Sequence, residues 1–387
     1  MVSRLEQLSR VRTALRRSPV TAILGPRQCG KTTLALQISR HDDATFFDLE
    51  SQADLTRLQN PELILSALTG LVIIDEIQRM PELFDVLRVV VDRGSARARF
   101  LILGSASPQV VKSVSESLAG RVEFVELSGF SLSETGAASA MLLWTRGGFP
   151  RSFLADSDED SFAWRDGFLR TFLERDIPQF GISIPHAAMR RFWTMVAHYH
   201  GQIWNASEFG RSMGLTDKTA RAYLDVLTGT YMVRQLQPWH ENLGKRQVKS
   251  PKTYLRDTGL LHSLLGLPDQ HSLNGYPRVG ASWEGFVIEQ AIDRLAPIEP
   301  YFWASHQGAE LDLFFTWRGE RFGVEVKFSE APRITRSMRV ALQDLKLRQL
   351  WIVYPGAKGY VADNKISVIP IDAVQHLPKT IDALVTA

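Results

Sequence analysis

Short, continuously apolar runs punctuate the first third of the chain, at Val20 to Leu24, Thr45 to Leu49, Leu71 to Ile74, Phe100 to Leu103 and Val122 to Leu127, with amphipathic stretches between them. Runs with no polar face predict strands buried on both sides, as happens where helices cover both faces of a parallel sheet. Residues 1–135 are therefore expected to form a doubly wound α/β core. From about 138 to 200 the pattern turns helical, with Phe162, Phe168, Leu169 and Phe172 at helix-like spacing and turns marked at Gly147-Gly148-Phe149-Pro150 and Ile184-Pro185. A helical connector is expected over 136–199. Residues 200–266 predict a helix near Ser207 to Ser212, a turn at Met213-Gly214-Leu215, a helix from Asp217 to Leu227 capped by Thr216, and a β-rich stretch from Tyr231 to Leu236. The stretch Leu267 to Val279, rich in Pro, Gly, Asn and Ser, predicts a linker over 267–280. A last α/β domain is expected over 281–387.

Composition narrows the class. Apolar residues make up 44% and charged residues 22% of 387 residues, the balance of a globular chain long enough for two or three domains. No apolar run approaches the roughly 20 residues of a membrane-spanning helix, so no membrane partner is expected. The start, Met1-Val2-Ser3-Arg4-Leu5-Glu6, lacks an apolar signal core, and the single cysteine, Cys29, cannot close an internal disulfide. Both point to a cytoplasmic protein. A net charge of +3 neither demands nor excludes nucleic acid.

The chemistry concentrates first after the strand at Val20. Gly25-Pro26-Arg27-Gln28-Cys29-Gly30-Lys31-Thr32 is a P-loop, and Thr33-Leu34-Ala35-Leu36 behind it reads as a helix. Gly25 and Gly30 let the backbone curl its N–H groups around phosphates, and the helix adds its positive end. Residues Gly25 to Thr33 are expected to contact ATP, with Lys31 on the β- and γ-phosphates and the Thr32 hydroxyl on Mg²⁺. Leu71-Val-Ile-Ile-Asp75-Glu76 brings an acidic pair to the end of a buried strand, where open α/β sheets bind ligands. Asp75 fits the metal side of the site and Glu76 a general base that orients water. Ser105, ending Phe100-Leu-Ile-Leu-Gly-Ser105, is a candidate γ-phosphate sensor, a strand-end turn former being the alternative. Arg121 reads either as an arginine finger, toward its own or a neighbour's nucleotide, or as a solvated surface cation. Cys29 reads as a small filler.

Together, Gly25 to Thr32, Ile74-Asp-Glu-Ile-Gln-Arg79, Ser117-Leu-Ala-Gly-Arg121, Gly147-Gly-Phe-Pro150, Leu173-Glu-Arg-Asp176, Asn242-Leu-Gly-Lys245 and Tyr254-Leu-Arg-Asp257 resemble the AAA-type ATPases that carry a C-terminal domain of unknown function. The resemblance spans nearly the whole chain. It implies Mg²⁺-dependent ATP hydrolysis in a homo-oligomer whose neighbours complete each other's sites.

Two further resemblances concern the remainder. Residues 200–266 resemble a winged helix-turn-helix, with Lys218 and Arg221 on a helix and Lys245, Arg246, Lys249 and Lys252 on the ribbon after it. Such cations fit DNA phosphates; packing against the ATPase or a protein partner is the equal alternative. In Gly323-Val-Glu325-Val-Lys327-Phe328 the alternation sets Glu325 and Lys327 on one strand face. Asp312 lies on a neighbouring strand of a hairpin turning at Arg318-Gly319, and Glu284 on a helix at Trp283 to Glu289. This order resembles the PD-(D/E)xK nuclease fold, which implies that Asp312 and Glu325 hold Mg²⁺, Glu284 assists and Lys327 positions water. The functional expectation is thus an ATPase coupled to a nuclease-like effector that acts on DNA. The alternative is an ATP-switched regulatory or protein-interaction module whose nuclease-like domain is inactive.

Overall fold

The computed structural model describes residues 2–40, 43–93, 97–105, 114, 116–179, 182–240, 249–297, 299–305 and 307–386. They sort into two compact units, one of residues 1–129 with 229–231 and one of 130–228 with 232–387.

The first unit is built on five parallel strands: β1 (Val20–Gly25), β2 (Ala44–Asp48), β3 (Thr69–Asp75), β4 (Arg97–Ser105) and β5 (Val122–Glu126), in spatial order β2-β3-β4-β1-β5. Each expected strand is present within a few residues of its predicted ends. Alternate side chains feed two cores, Val20, Ala22, Leu24, Val72, Ile74, Phe100 and Ile102 on one face and Ile23, Ile73, Leu101 and Leu103 on the other. That explains why these runs show no polar period: both sheet faces are dry. The chain reverses its winding at β1, so the loop leaving β1 opens at the crevice beyond the strand ends.

The second unit carries β6 (Gln202–Ile203), β7 (Val233–Pro238), β8 (Lys252–Leu255), β9 (Tyr301–Ala304), β10 (Glu310–Trp317), β11 (Glu320–Val326), β12 (Gln349–Tyr354), β13 (Tyr360–Asp363) and β14 (Ile366–Pro370) in one mixed sheet, ordered β13-β14-β12-β11-β10-β9-β7-β8-β6. Helices Ala206–Met213 and Asp217–Gly229 lie at their predicted places, and the Thr216 hydroxyl accepts from the Thr219 N–H at 3.1 Å as a cap. The hairpin β10–β11 turns on Arg318 (φ 48°) and Gly319 (φ 83°), the two left-handed residues that a two-residue hairpin turn demands.

Two expectations are corrected here. The stretch 267–280 is not a bare linker: Gln270–Asn274 is a helix whose cap, Asp269, accepts from Ser272 N–H at 2.8 Å, and Leu273 is fully buried. Its turn-forming residues serve as caps, which composition alone does not distinguish from a tether. Nor do 200–266 and 281–387 stand apart, because β7 pairs in parallel with β9 through Gln237–Tyr301 and Pro238–Phe302.

Between these elements two histidines are locked neutral. His262 Nδ1 faces the Thr145 carbonyl at 3.0 Å, which can only accept, so Nε2 accepts from the Ser282 hydroxyl at 2.7 Å. His200 Nδ1 accepts from Leu255 N–H at 3.0 Å. Burial pushes both rings from 6.5 down to about 3. Their stabilisation is whole above pH 6.5 and is lost as pH falls toward 3, because the unfolded chain binds those protons first. Urea unfolding followed across that window is expected to lose up to about 1.4 kcal/mol per pH unit for each histidine. His262→Gln is expected to make the slope shallower.

Candidate functional site

In the first unit, the loop leaving β1 is shaped by its backbone. Gln28 (φ 62°) and Gly30 (φ 98°) are both left-handed, which turns successive N–H groups inward as an anion nest. A Cβ at Gly25 would fall 1.9 Å from the Leu127 carbonyl oxygen, so glycine is required there by close packing inside the protein itself. Cys29 is fully buried and its Sγ donates to the Leu127 carbonyl at 3.3 Å. Arg4, which gave no signal in the sequence, braces the loop from outside: its guanidinium donates to the carbonyls of Cys29 (2.9 Å), Ser128 (3.2 Å) and Gly129 (3.1 Å).

Lys31 opens helix Lys31–Ser39 with its ammonium buried, donating to the carbonyls of Gly25 at 3.1 Å and Pro26 at 2.8 Å. The Thr32 hydroxyl donates to Asp75 Oδ2 at 2.6 Å, which joins the helix start to the end of β3. Asp75 Oδ1 accepts from the Glu76 N–H at 2.8 Å, and the Glu76 carboxylate is held by the Gln78 amide. Glu76 itself is left-handed (φ 55°), a conformation that turns its side chain out of the strand. Burial raises both carboxyls, with Lys31 opposing it. Ser105 ends β4 buried, and its hydroxyl has no hydrogen-bond partner among the described residues. These groups suit a nucleotide with Mg²⁺: a hydroxyl and a carboxylate are hard oxygen donors, and Lys31 is held only by carbonyls that a phosphate can replace.

Arg121 is tied to the surface by Asp92, Nε to Oδ1 at 2.5 Å and Nη2 to Oδ2 at 2.8 Å. Acting as a finger would require it to leave that carboxylate. Arg27 and Arg79 both lie 3.6 Å from Glu50.

In the second unit, Glu284 from helix Val279–Leu295, Asp312 from β10 and Glu325 from β11 converge with Lys327, as their order in the sequence suggests. Lys327 Nζ donates to Glu325 Oε1 at 2.7 Å, and Asp312 Oδ2 accepts from the Val326 N–H at 2.8 Å. Burial, then the Asp312 charge, raises Glu284 to about 7 and Glu325 to about 8. The sequence reading missed three members. Lys252, expected among the surface cations of the ribbon, is buried at 3% exposure, with Nζ 3.2 Å from Glu284 Oε1, 3.7 Å from Asp312 Oδ1 and in contact with Glu310. The Tyr254 hydroxyl donates to Glu284 Oε1 at 2.6 Å. Alternation along β8 was the available signal, since Lys252 and Tyr254 share one strand face. Of the other cations, Lys218, Arg221 and Lys249 are exposed, while Lys245 and Arg246 lie outside the described residues. A lysine in the carboxylate cluster does not fit a divalent ion there, and no group of three or more His, Cys, Asp or Glu that could hold a metal is found among the described residues.

The family model described as an AAA domain matches residues 17–136. That stretch holds the five-stranded parallel sheet and the P-loop. Two models described as domains of unknown function match 139–271 (DUF8612) and 279–374 (DUF4143). "Uncharacterized protein Rv2008c" of Mycobacterium tuberculosis and "Uncharacterized protein Mb2031c" of Mycobacterium bovis are each 53% identical over 374 residues, 97% of this chain and 85% of theirs. The chain belongs to their family. Among solved structures, the Walker-type ATPase paby2304 of Pyrococcus abyssi has a TM-score of 0.48 at 13% identity, over 68% of this chain and 96% of that one. The S. cerevisiae Hsp104-ADP complex has a TM-score of 0.31 at 13% identity, over 76% and 44%. No helix among the described residues is long and apolar enough to cross a membrane.

Proposed function

We propose that the protein is an Mg²⁺-dependent ATP hydrolase whose nucleotide state controls the binding behaviour of the unit that follows. The observation that carries this reading is the join between Lys31-Thr32 and Asp75-Glu76, closed by the 2.6 Å Thr32–Asp75 hydrogen bond. Lys31 gives its ammonium to the β- and γ-phosphates when they displace the carbonyls of Gly25 and Pro26. Thr32 and Asp75 would hold Mg²⁺, which when bound would offset phosphate charge. Glu76 orients the attacking water and takes its proton as ADP leaves. Ser105, whose hydroxyl has no hydrogen-bond partner among the described residues, offers it to the γ-phosphate.

In the second unit, helices Ala206–Met213 and Asp217–Gly229 with β7 and β8 support a winged helix-turn-helix, and 281–387 supports a nuclease-like fold. With Lys252 withdrawn into the interior, the reading best supported is an ATP-switched module with a non-cleaving nuclease-like domain; Lys218, Arg221 and Lys249 remain available for phosphates or an acidic protein surface. Phosphate release by the purified chain tests the central claim. Glu76→Gln is expected to keep ATP affinity while turnover falls by about 10²-fold or more. Equal turnover in the variant and the wild type would remove Glu76 from the mechanism.

A further inference from the structure

The carboxylate cluster of the second unit brings together Glu284, Glu310, Asp312 and Glu325, four acidic groups on one helix and two strands. A cluster of that kind, three of whose members are largely buried, requires a positive partner. Two ammonium groups already supply it. Lys327 serves Glu325 at 2.7 Å, and Lys252, arriving from β8, serves Glu284 at 3.2 Å, Asp312 at 3.7 Å and Glu310. An ammonium has three donors, and three carboxylates surround this one. The residue is buried, with Nζ 5.7 Å from the Phe302 ring centre and in contact with Glu310 at the exposed side of the cluster. β8 is itself fixed by antiparallel pairing to β6 and β7. Tyr254, two residues on, adds its hydroxyl to Glu284 at 2.6 Å. Glu325 Oε2 is the cluster's one buried oxygen without a hydrogen-bond partner among the described residues.

We infer that Lys252 is the resident cation of this cluster, held where a metal-dependent nuclease of such a fold would carry its divalent ion, so that the site excludes metal and clasps β8 to the helix bearing Glu284. This rests on the nuclease-like reading only for where the metal would sit, and it is independent of the ATP site. The ammonium makes the exclusion electrostatic as well as steric. A divalent ion close enough to bind Asp312 and Glu284 would lie within a few ångströms of a fixed positive charge in a poorly screened interior.

The test uses the full chain without nucleotide and Mn²⁺ as the probe, with bound ion counted by electron paramagnetic resonance. Wild type, Asp312→Asn and Glu325→Gln are expected to bind the same number of ions. Lys252→Gln is expected to gain one site, at least roughly tenfold tighter than anything at that position in the wild type, and Lys252→Gln with Asp312→Asn is expected to lose it again. A wild-type Mn²⁺ site removed by Asp312→Asn or Glu325→Gln overturns the inference. So does a folded Lys252→Gln that gains no ion. If Lys252→Gln does not fold, the three-way comparison of wild type, Asp312→Asn and Glu325→Gln decides by itself. Plasmid nicking is measured alongside. Metal binding in the wild type without nicking sinks this inference and leaves the non-cleaving reading standing, whereas Asp312-dependent nicking sinks both.

Discussion

Lys31→Ala is expected to cut ATP turnover by at least about 10²-fold, the scale at which removing one preorganised charge from a phosphoryl or acyl transfer site is felt. The geometry gives the reason. The Lys31 ammonium is buried with two backbone carbonyls as its acceptors, Gly25 at 3.1 Å and Pro26 at 2.8 Å. It is already oriented, and binding a phosphate exchanges neutral oxygens for charged ones, which makes stronger hydrogen bonds. Alanine at the first position of helix Lys31–Ser39 is a good helix former, so the loss is expected in chemistry and nucleotide affinity rather than in folding. Phosphate release and binding of a fluorescent ATP analogue, read beside the thermal midpoint, separate the two. Lys31→Arg is not expected to rescue, because the planar guanidinium cannot occupy the same carbonyl pair. Turnover in Lys31→Ala within threefold of wild type would remove the P-loop from the function proposed for it.

The largest effect on stability is expected at Arg165. Its side chain is wholly buried in helix Asp158–Thr171, yet it faces no carboxylate at hydrogen-bonding distance in the contacts described. Instead Nε donates to Ser161 O at 3.1 Å, Nη1 to Thr145 O at 3.3 Å and Gly259 O at 2.9 Å, and Nη2 to Pro268 O at 3.3 Å. One guanidinium thus gathers the ends of helices and the loop entering Gln270–Asn274. Burial lowers its pKa to about 10, still charged at neutral pH, with Asp257 and Asp158 as the compensating anions. Arg165→Met keeps volume but removes these four hydrogen bonds and takes a buried positive charge from near Asp257, while Asp158 keeps its ion pair with Arg146. A loss of about 3–5 kcal/mol is expected, the usual cost of removing one partner from a buried charged network. Urea unfolding reported by tryptophan fluorescence measures it, and a loss under about 1 kcal/mol would show that solvent replaces the bonds.

The fold was legible where the code is local. The five strands of the first unit announce themselves by apolar runs such as Leu71 to Ile74, and the P-loop residues are neighbours in sequence as in space. The turn at Arg318-Gly319 and the cap at Thr216 are local too. What stayed hidden depends on chain-distant encounters. Arg4 meets Ser128 and Gly129 across the length of the first unit, and Arg165 meets Pro268. Lys252 looked like another ribbon cation because nothing near it in sequence marks burial; only the arrival of Glu284, Glu310 and Asp312 does that. Helix Gln270–Asn274 was missed because Asp269, Ser272 and Asn274 are as common in tethers as in caps. The C-terminal carboxylates were grouped by their order along the chain, but the order could not disclose their counter-ion.

The parallel pairing of β7 with β9 has an evolutionary consequence. The two families of unknown function meet near residue 275, a seam where one would expect parts to be swapped between proteins. The ladder that sets Gln237 and Pro238 beside Tyr301 and Phe302, with the Trp239 N–H donating to the Phe302 carbonyl at 2.7 Å, runs across that seam, so either half inherited alone would carry a raw strand edge into its new host.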